Sequence, residues 1–352
     1  MFFASDNSSG AAPEIMTALT AANEGYAMPY GADPIMDRVR DRLREIFEAP
    51  EAAIYLVATG TTANALSLAI MADPWDGVFC HRVAHVEQDE CGAPEFYTGG
   101  AKLVLVEGED AKMTPETLGR AIAGTGRGGV HNVQRGPVTV TNATEAGTVY
   151  APDEVAALAK VAKEAGLAVH MDGARFANAL VAAGCTPAEM TWKAGIDVLS
   201  FGGTKNGCMG VEAVIIFDPA KAWEFELRRK RGGHLFSKHR YLSAQMDAYL
   251  DGDLWLRLAG RANDAAQALS HGILSIPGAY LLHPTQANAV FAAWPRGGHR
   301  RAQEAGAKYY LWPFGQSLEG PEDELLSARL VCSWSTTEAD VERFLAAVRG
   351  DG

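Results

Sequence analysis

Seven short apolar runs alternate with helical stretches between residues 54 and 217, and this alternation restricts the fold more than any other feature of the sequence. Several runs are apolar along their whole length, which is typical of parallel strands covered by helices on both faces. We therefore predict an α/β protein with a mostly parallel central sheet. The predicted strands are 54–58, 78–80, 102–106, 138–142, 168–171, 197–201 and 211–217.

The segments on either side of this region have a different character. Residues 1–35 are polar and rich in turn residues, with one short helix over 13–22, and are predicted to form an N-terminal arm. The large α/β domain is predicted over 36–250, and a long helical passage over 240–269 leads into the remaining segment. Residues 251–352 are predicted to form a smaller α+β domain, since short strand patterns alternate there with helical ones.

Composition argues against several classes of function. The formal net charge of -12 and the pI near 5.2 argue against nucleic acid, whose phosphates would be repelled. The five cysteines are odd in number and never form a C-x-x-C pair, which is typical of the reduced cytosol. We expect a cytoplasmic protein without a membrane span, because the N-terminus lacks a leader pattern and no run reaches about 18 apolar residues.

Lys205 occupies an unusual position for a cation. The segment Ser200-Phe201-Gly202-Gly203-Thr204-Lys205-Asn206-Gly207 turns between two apolar strands. Desolvation there would lower the pKa of the amine and favour a Schiff base with an aldehyde. The alternative is an ordinary loop lysine that points into water.

Two other segments have features of a cofactor site. Thr59-Gly60-Thr61 lies between a strand and a helix, where free N–H groups suit a phosphate, although a plain threonine cap is an alternative. Asp172 ends a predicted strand, and a buried carboxylate there could keep a pyridine nitrogen protonated. Asp172 could instead cap the helix that begins near Arg175.

His81 and His85 allow three interpretations. Glu87, Asp89 and Glu90 follow them closely, so a metal site is conceivable, but the pattern is not H-E-x-x-H and we predict no metal. An imidazole lying flat on a planar ligand is the better functional interpretation for one histidine. A structural histidine remains the third.

Taken together, these pieces form a set suited to pyridoxal 5′-phosphate (PLP). It comprises a phosphate cup at Gly60 and Thr61, a stacking imidazole at His85, a ring-nitrogen partner at Asp172 and an amine at Lys205. Their order and spacing are those of the aspartate-aminotransferase-like fold, called fold type I. We predict that fold, with helices on both faces of the sheet.

The chain resembles the low-specificity L-threonine aldolases over nearly its whole length. The resemblance rests on six segments: Ser5-Asp6, Tyr30-Gly31-Ala32-Asp33-Pro34, Thr59-Gly60-Thr61-x-Ala63-Asn64, Ala84-His85, His170-x-Asp172-Gly173-Ala174-Arg175 and Ala328-Arg329-Leu330-Val331. It implies cleavage of L-threonine, L-allo-threonine and related β-hydroxy-α-amino acids, such as phenylserine, to glycine and an aldehyde. The expected route is a covalent aldimine of Lys205 followed by a glycine quinonoid.

The resemblance also implies a role for each matching residue. Lys205 would bind PLP, Asp172 would pair with the ring nitrogen, and His85 would stack on the ring. The residues expected to contact the substrate are Ser5, Tyr30, Arg175 and Arg329. Arg175 would also lie by the ring hydroxyl. His131 would be a second active-site histidine. His85 is the predicted base that takes the β-hydroxyl proton, and His131 is the second candidate.

The sequence departs from the family pattern at two places. Thr204 stands before Lys205, where the family often has serine, and the family's arginine ligand for phosphate has no clear equivalent. Arg231 or Lys238 could supply this basic ligand for the phosphate. Either residue could come from a partner subunit, because the family builds its sites between subunits. The resemblance therefore implies a homodimer or homotetramer. Two alternatives remain: another fold type I enzyme (an aminotransferase or a β-eliminating lyase) and a non-catalytic PLP-fold binding protein.

Overall fold

The computed structural model describes residues 1–351, and they form helices arranged around two β-sheets. The eleven strands are β1 (Ala53–Val57), β2 (Asp76–His81), β3 (Lys102–Val106), β4 (Gln134–Thr141), β5 (Val169–Gly173), β6 (Val198–Gly202), β7 (Glu212–Ile216), β8 (Tyr280–Leu281), β9 (Ala289–Pro295), β10 (Tyr310–Leu311) and β11 (Leu325–Val331). The fourteen α-helices are α1 (Pro13–Ala22), α2 (Pro34–Ile46), α3 (Gly60–Ala69), α4 (His85–Gln88), α5 (Ala93–Thr98), α6 (Pro115–Gly124), α7 (Pro152–Glu164), α8 (Phe176–Ala183), α9 (Pro187–Met190), α10 (Ala222–Arg231), α11 (Arg240–Leu250), α12 (Leu254–Leu274), α13 (Arg296–Glu304) and α14 (Glu338–Arg349).

The larger sheet has seven strands in the order β1-β7-β6-β5-β4-β2-β3. β7 is antiparallel to both of its neighbours, and the remaining pairs are parallel. This reversal follows from the short turn between β6 and β7, because a parallel return would need a crossover of a dozen or more residues. The carboxyl ends of β1, β2, β4, β5 and β6 therefore meet at one edge of the sheet. The predicted mostly parallel α/β sheet is confirmed.

The helical passage predicted over 240–269 consists of two helices. α11 ends at Leu250 and α12 begins at Leu254, and the turn Asp251–Asp253 separates them. Gly252 has φ +51° and Asp253 has φ +56°, in the left-handed region that glycine adopts freely and aspartate tolerates better than most residues. The break is local and does not interrupt the packing of either helix.

The smaller sheet has the order β10-β11-β9-β8 and is antiparallel throughout. The N-terminal arm joins it, since the Phe3 N–H donates to the carbonyl of Lys308 at 2.7 Å and the Val331 N–H donates to the carbonyl of Phe3 at 2.8 Å. α12 contributes its first turns to the core of the large sheet and its last turns to the core of the small one. The domain boundary near residue 250 stays a prediction. Among residues 1–351, no helix combines the length and the apolar character needed to cross a bilayer.

Candidate active site

Asp172 lies at the carboxyl end of β5 and is fixed by two neutral donors. The Ala174 N–H donates to Oδ1 at 3.0 Å, and the Asn64 amide, on α3, donates to Oδ2 at 3.0 Å. The side chain is buried. Neither of these hydrogen bonds comes from a cation, so the carboxylate remains available to stabilise a positive charge brought in by a ligand.

Lys205 lies in the short helical turn Thr204–Asn206 at the same edge of the sheet. Buried hydrogen bonds hold this turn: the Gly203 N–H donates to Glu212 Oε2 at 2.8 Å, and the Asn206 amide donates to Tyr249 Oη at 2.7 Å. Burial raises the pKa of Glu212 to about 7. Lys205 itself is half-buried, and its amine has no hydrogen bond or ion pair to any residue in 1–351. A fixed backbone thus presents an uncommitted amine.

The first turn of α3 lies at this edge as well. Thr59 caps the helix, its Oγ1 accepting the Thr62 N–H at 3.2 Å, and the N–H groups of Gly60 and Thr61 lack intrahelical partners. A Cβ added at Gly60 would meet nothing within 4 Å, so the space in front of the turn is open. Such a turn suits a phosphate.

His85 begins α4 and is joined to a buried carboxylate. Its Nδ1 lies 2.8 Å from Glu90 Oε1, and the Asn64 amide donates to the same oxygen at 2.8 Å. Burial lowers the pKa of His85, but the Glu90 hydrogen bond and the Asp172 charge outweigh it, and the pKa rises overall. Burial also raises the pKa of Glu90. The pair therefore retains a proton to higher pH than either group would alone.

The ligand atoms of His85, Glu90 and Asp172 lie within 4.8 Å of one another, close enough for a metal ion. Hydrogen bonds already link Glu90 to both His85 and Asn64, and Asn64 to Asp172. Glu90 Oε2 and Asn64 Oδ1 are buried without partners. His81, the other histidine of the metal interpretation, lies outside this group and contacts the carbonyl of Gly108 at 3.1 Å.

Two arginines differ in how they are paired. Arg175 makes two hydrogen bonds to the buried Asp6, from Nε at 2.7 Å and from Nη2 at 3.0 Å. Burial raises the pKa of Asp6, but the Arg175 charge reverses this and holds it below its usual value. Arg329 has no carboxylate partner within residues 1–351, and its guanidinium lies 5.9 Å from the centre of the Trp312 ring. Arg329 is therefore available to an anion.

A cavity of about 990 Å³ opens beside Arg329. Phe291, Tyr310 and Trp312 contribute aromatic surface to it, and Glu145 contributes a carboxylate. A ligand bound through its own carboxylate to Arg329 could extend into this space.

The residues fit PLP by the chemistry of their donor set. An open helix start suits the phosphate, a buried carboxylate suits a protonated ring nitrogen, and an imidazole and a free amine lie at the same edge. All four residues predicted to bind PLP here lie at this one edge of the sheet: Asp172, Lys205, Gly60 and Thr61.

Comparisons with known proteins agree with this geometry. A sequence model of the family described as beta-eliminating lyase matches residues 3–294. The low specificity L-threonine aldolase of Pseudomonas sp. (strain NCIMB 10558) is 43% identical over 347 residues, which cover 99% of this chain and 96% of that protein. The chain belongs to the low-specificity L-threonine aldolases.

Two further proteins extend this finding. The low specificity L-threonine aldolase of Pseudomonas aeruginosa (strain PAO1) is 42% identical over 341 residues, covering 97% of this chain and 94% of that protein. The structure of threonine aldolase from Leishmania major superposes with a TM-score of 0.91 at 27% identity, covering 99% of this chain and 98% of that one. The predicted fold type I is confirmed.

The role predicted for His131 stays a prediction, because in the single chain this residue lies away from the other groups of the site. The residue is exposed in the turn Gly129–His131, which precedes β4. β4 has eight residues and so spans about 26 Å, with His131 at its amino end and the site at its carboxyl end. The side chain near Arg329 that the sequence interpretation missed is Glu145, which follows the carboxyl end of β4.

Other predicted residues lie apart from this site in the single chain. Tyr30 contacts Ser237 through a backbone hydrogen bond of 3.2 Å, and the Lys230 amine lies 4.9 Å from the centre of its ring. Arg231 and Lys238 are exposed, and Arg231 lines a separate cavity of about 790 Å³. Their roles stay predictions that would need a second subunit.

His234 is a basic side chain that contacts the first turn of α3. Its Nδ1 lies 3.3 Å from Thr62 Oγ1, and its Nε2 lies 2.7 Å from Tyr97 Oη. Burial lowers the pKa of His234. The only hint of this contact in the sequence is the Gly232-Gly233 turn, which follows the basic run and precedes His234. A turn alone does not indicate which neighbouring side chain points inward.

Ser5 lies in the arm at the entrance of the site. Its Oγ accepts the Asn7 N–H at 3.1 Å, and the arm is attached to the Lys205 turn by the Ala12 N–H, which donates to the carbonyl of Gly207 at 2.8 Å. Asp6, the neighbour of Ser5, was part of the recognised motif but was given no role. Its ion pair with Arg175 gives this carboxylate a role in holding the arm to the large sheet.

Proposed function

We propose that this chain is a PLP-dependent aldehyde-lyase that cleaves L-threonine and L-allo-threonine to glycine and acetaldehyde. The relatives named as L-threonine aldolases support this over nearly the whole chain. The observation that carries the proposal is the free Lys205 amine at the sheet edge where Asp172 is buried, together with Arg329, which has no carboxylate partner within residues 1–351. An amino acid substrate needs both an amine-exchange site and an anion site.

The residues divide the work of binding. Gly60 and Thr61 would hold the cofactor phosphate, Asp172 would keep a proton on the ring nitrogen, and His85 would cover one ring face. Lys205 would hold the cofactor through its amine. When bound, the cofactor supplies an electron sink for the bond that breaks at the amino acid's α carbon.

Arg329 and Ser5 would bind the substrate carboxylate. The guanidinium offers a planar pair of donors, which fixes the carboxylate in one plane and thereby limits rotation about the α carbon. That restriction would align the Cα–Cβ bond for cleavage. Arg175 would act indirectly or through its remaining Nη1 group, because Asp6 occupies Nε and Nη2.

The proposal extends to related β-hydroxy-α-amino acids such as phenylserine. The cavity of about 990 Å³ next to Arg329 is far larger than a methyl group requires and is lined by several aromatic rings. Aromatic aldehydes would gain stacking and apolar contacts there.

The chain is also proposed to act as a homo-oligomer in a reducing compartment. Tyr26, Met28 and Phe236 are large apolar side chains exposed near Arg231 and Lys238, as expected for a surface that a second copy covers. The five cysteines of the chain are all free, which supports the reducing compartment. The oligomeric state would be measured by light scattering during size-exclusion chromatography, and a monomer would contradict the first part of this proposal.

One experiment tests the proposed reaction. The purified protein would be examined for the visible absorption of lysine-bound PLP and then given L-threonine in a coupled acetaldehyde assay. We expect a yellow protein that releases acetaldehyde. The second candidate is a β-eliminating lyase, which the family match favours, and it would release ammonia instead. Alanine formed from added pyruvate would indicate an aminotransferase.

A further inference from the structure

The loop after β4 is built as a rigid support for one side chain, Glu145. Thr144 and Thr148 join across the loop through their hydroxyls at 2.7 Å, and the Thr144 N–H donates to the carbonyl of Thr148 at 2.9 Å. Gly147 closes the turn with φ +76°, and its carbonyl accepts the Ala287 N–H at 3.1 Å. The backbone around Glu145 is therefore fixed to both β4 and the segment before β9.

The Glu145 carboxylate has no hydrogen bond or ion pair within residues 1–351, although its backbone is held so firmly. The side chain is half-buried and lines the cavity beside Arg329. Its charge acts on His85, Arg175 and Arg329 together, so it lies among the groups of the site. A carboxylate presented on a rigid turn without a protein partner is suited to contact a ligand.

His85 is engaged on one side, because its Nδ1 lies 2.8 Å from Glu90 Oε1. In the proposed function its ring covers one face of the cofactor. Glu145 is the remaining carboxylate of the cavity whose charge acts on both His85 and Arg329.

We propose that Glu145 accepts the proton of the substrate's β-hydroxyl group during cleavage of the Cα–Cβ bond. The proposal rests on the proposed aldolase function. In this step the O–H bond breaks and its proton passes to the carboxylate, while the oxygen's electron pair forms the carbonyl of the aldehyde. The Cα–Cβ electron pair stays on the α carbon, for which a bound cofactor would supply the electron sink. The α carbon then takes a proton from solvent to give glycine, and Glu145 returns its proton to solvent.

The test compares Glu145→Gln with Glu116→Gln. Glu116 is an exposed carboxylate on α6 that lies 3.6 Å from Arg120 and does not line the cavity, so it is the control. We expect Glu145→Gln to lower kcat/KM for L-threonine by about 100-fold or more, the usual contribution of a general base, and Glu116→Gln to stay within about twofold. Glu145→Asp should recover part of the loss.

A second measurement separates this role from a structural one. Exchange of the glycine α proton with D2O, followed by NMR, requires no β-hydroxyl, so Glu145→Gln should keep it. Spectral titration should likewise give a glycine affinity within about threefold of wild type. Cleavage retained above a third of wild type in Glu145→Gln, or proton exchange lost together with cleavage, would overturn the proposal. Wild-type protein that releases no aldehyde would instead refute the aldolase function itself.

Discussion

At the scale of single residues, Lys205 should be indispensable because no other amine occupies its place beside Asp172. We expect Lys205→Ala to abolish turnover and the visible absorption of lysine-bound cofactor. The measurements are an absorbance spectrum and the acetaldehyde assay. Lys193→Ala is the control, since Lys193 pairs with Glu48 on the surface, and it should behave as wild type. Full activity in Lys205→Ala would refute the whole scheme.

Asp6 should contribute to both stability and binding through its buried ion pair with Arg175. Asp6→Asn leaves the guanidinium buried without its counter-charge, which costs about 3–5 kcal/mol. We expect a fall of that order in the free energy of unfolding, measured in urea, and a higher KM for L-threonine.

The matched control for Asp6 is Asp37→Asn, which removes a more exposed ion pair with Arg40. Exposed pairs contribute about 0–1 kcal/mol, so this variant should be nearly as stable as wild type. Because Arg175 depresses the pKa of Asp6, this stabilisation is present above the unfolded value of 3.8 and is lost as the pH falls through the lower folded value. Equal losses in the two variants would show that burial of the pair contributes nothing.

At the scale of elements, the sequence predicted the strands and the edge where ligands gather. Asp172 and Lys205 could be placed because each directly follows an apolar run, and parallel strands end at the same edge. Glu145 and Glu90 could not be placed, since each lies in a loop whose turns decide where its side chain points. His131 precedes its strand in the single chain, and residue type alone does not indicate which end of a strand a residue joins.

The loop that carries Glu145 can be tested through its glycine. Gly147 has φ +76°, and an added Cβ would lie 2.7 Å from the carbonyl oxygen of Ala289. Left-handed backbone strain alone would lower the stability of Gly147→Ala by about 1–2 kcal/mol, and the clash should add to this loss. Because the loop must shift to relieve the clash, we also expect lower turnover. Urea unfolding and the acetaldehyde assay measure the two effects.

Gly166→Ala provides the comparison for this glycine. Gly166 has φ +75° but nothing within 4 Å of an added Cβ, so its substitution introduces the strain without the clash. We expect a loss of about 1–2 kcal/mol and unchanged turnover. If both variants lose the same stability and keep full activity, the close approach of the loop to Ala289 is unimportant for the site.

At the scale of the whole molecule, the site joins three parts of the chain. Asp6 belongs to the arm, Arg175 follows β5 of the large sheet, and Asn288, which donates to Asp6 at 3.1 Å, precedes β9 of the small sheet. Arg329 lies on β11 of the small sheet. The catalytic geometry therefore depends on both sheets docking correctly. The sequence indicated two sheets and an arm, but their contacts involve side chains more than 100 residues apart, which local patterns do not specify.

The stability of the whole molecule should depend on pH through buried histidines such as His299. Its ring stacks on Trp294 with centroids 3.9 Å apart, and burial lowers its pKa from 6.5 to about 4. Because the folded pKa lies below the unfolded one, the unfolded chain binds more protons between pH 6.5 and 4. The free energy of unfolding therefore decreases as the pH is lowered through that window.

The test compares wild type with His299→Gln in urea at pH 7.5 and pH 5. Glutamine does not titrate, so only wild type loses stability in this way. Each pH unit below 6.5 corresponds to about 1.36 kcal/mol, so the difference in unfolding free energy between the two proteins should shrink by about 2 kcal/mol at pH 5. Measuring the difference cancels the opposite contribution of Glu212, whose raised pKa favours the folded state as the pH falls. A constant difference for His299→Gln at both pH values would mean that the ring gains its proton without unfolding, and that the small core around Trp294 does not limit stability in acid.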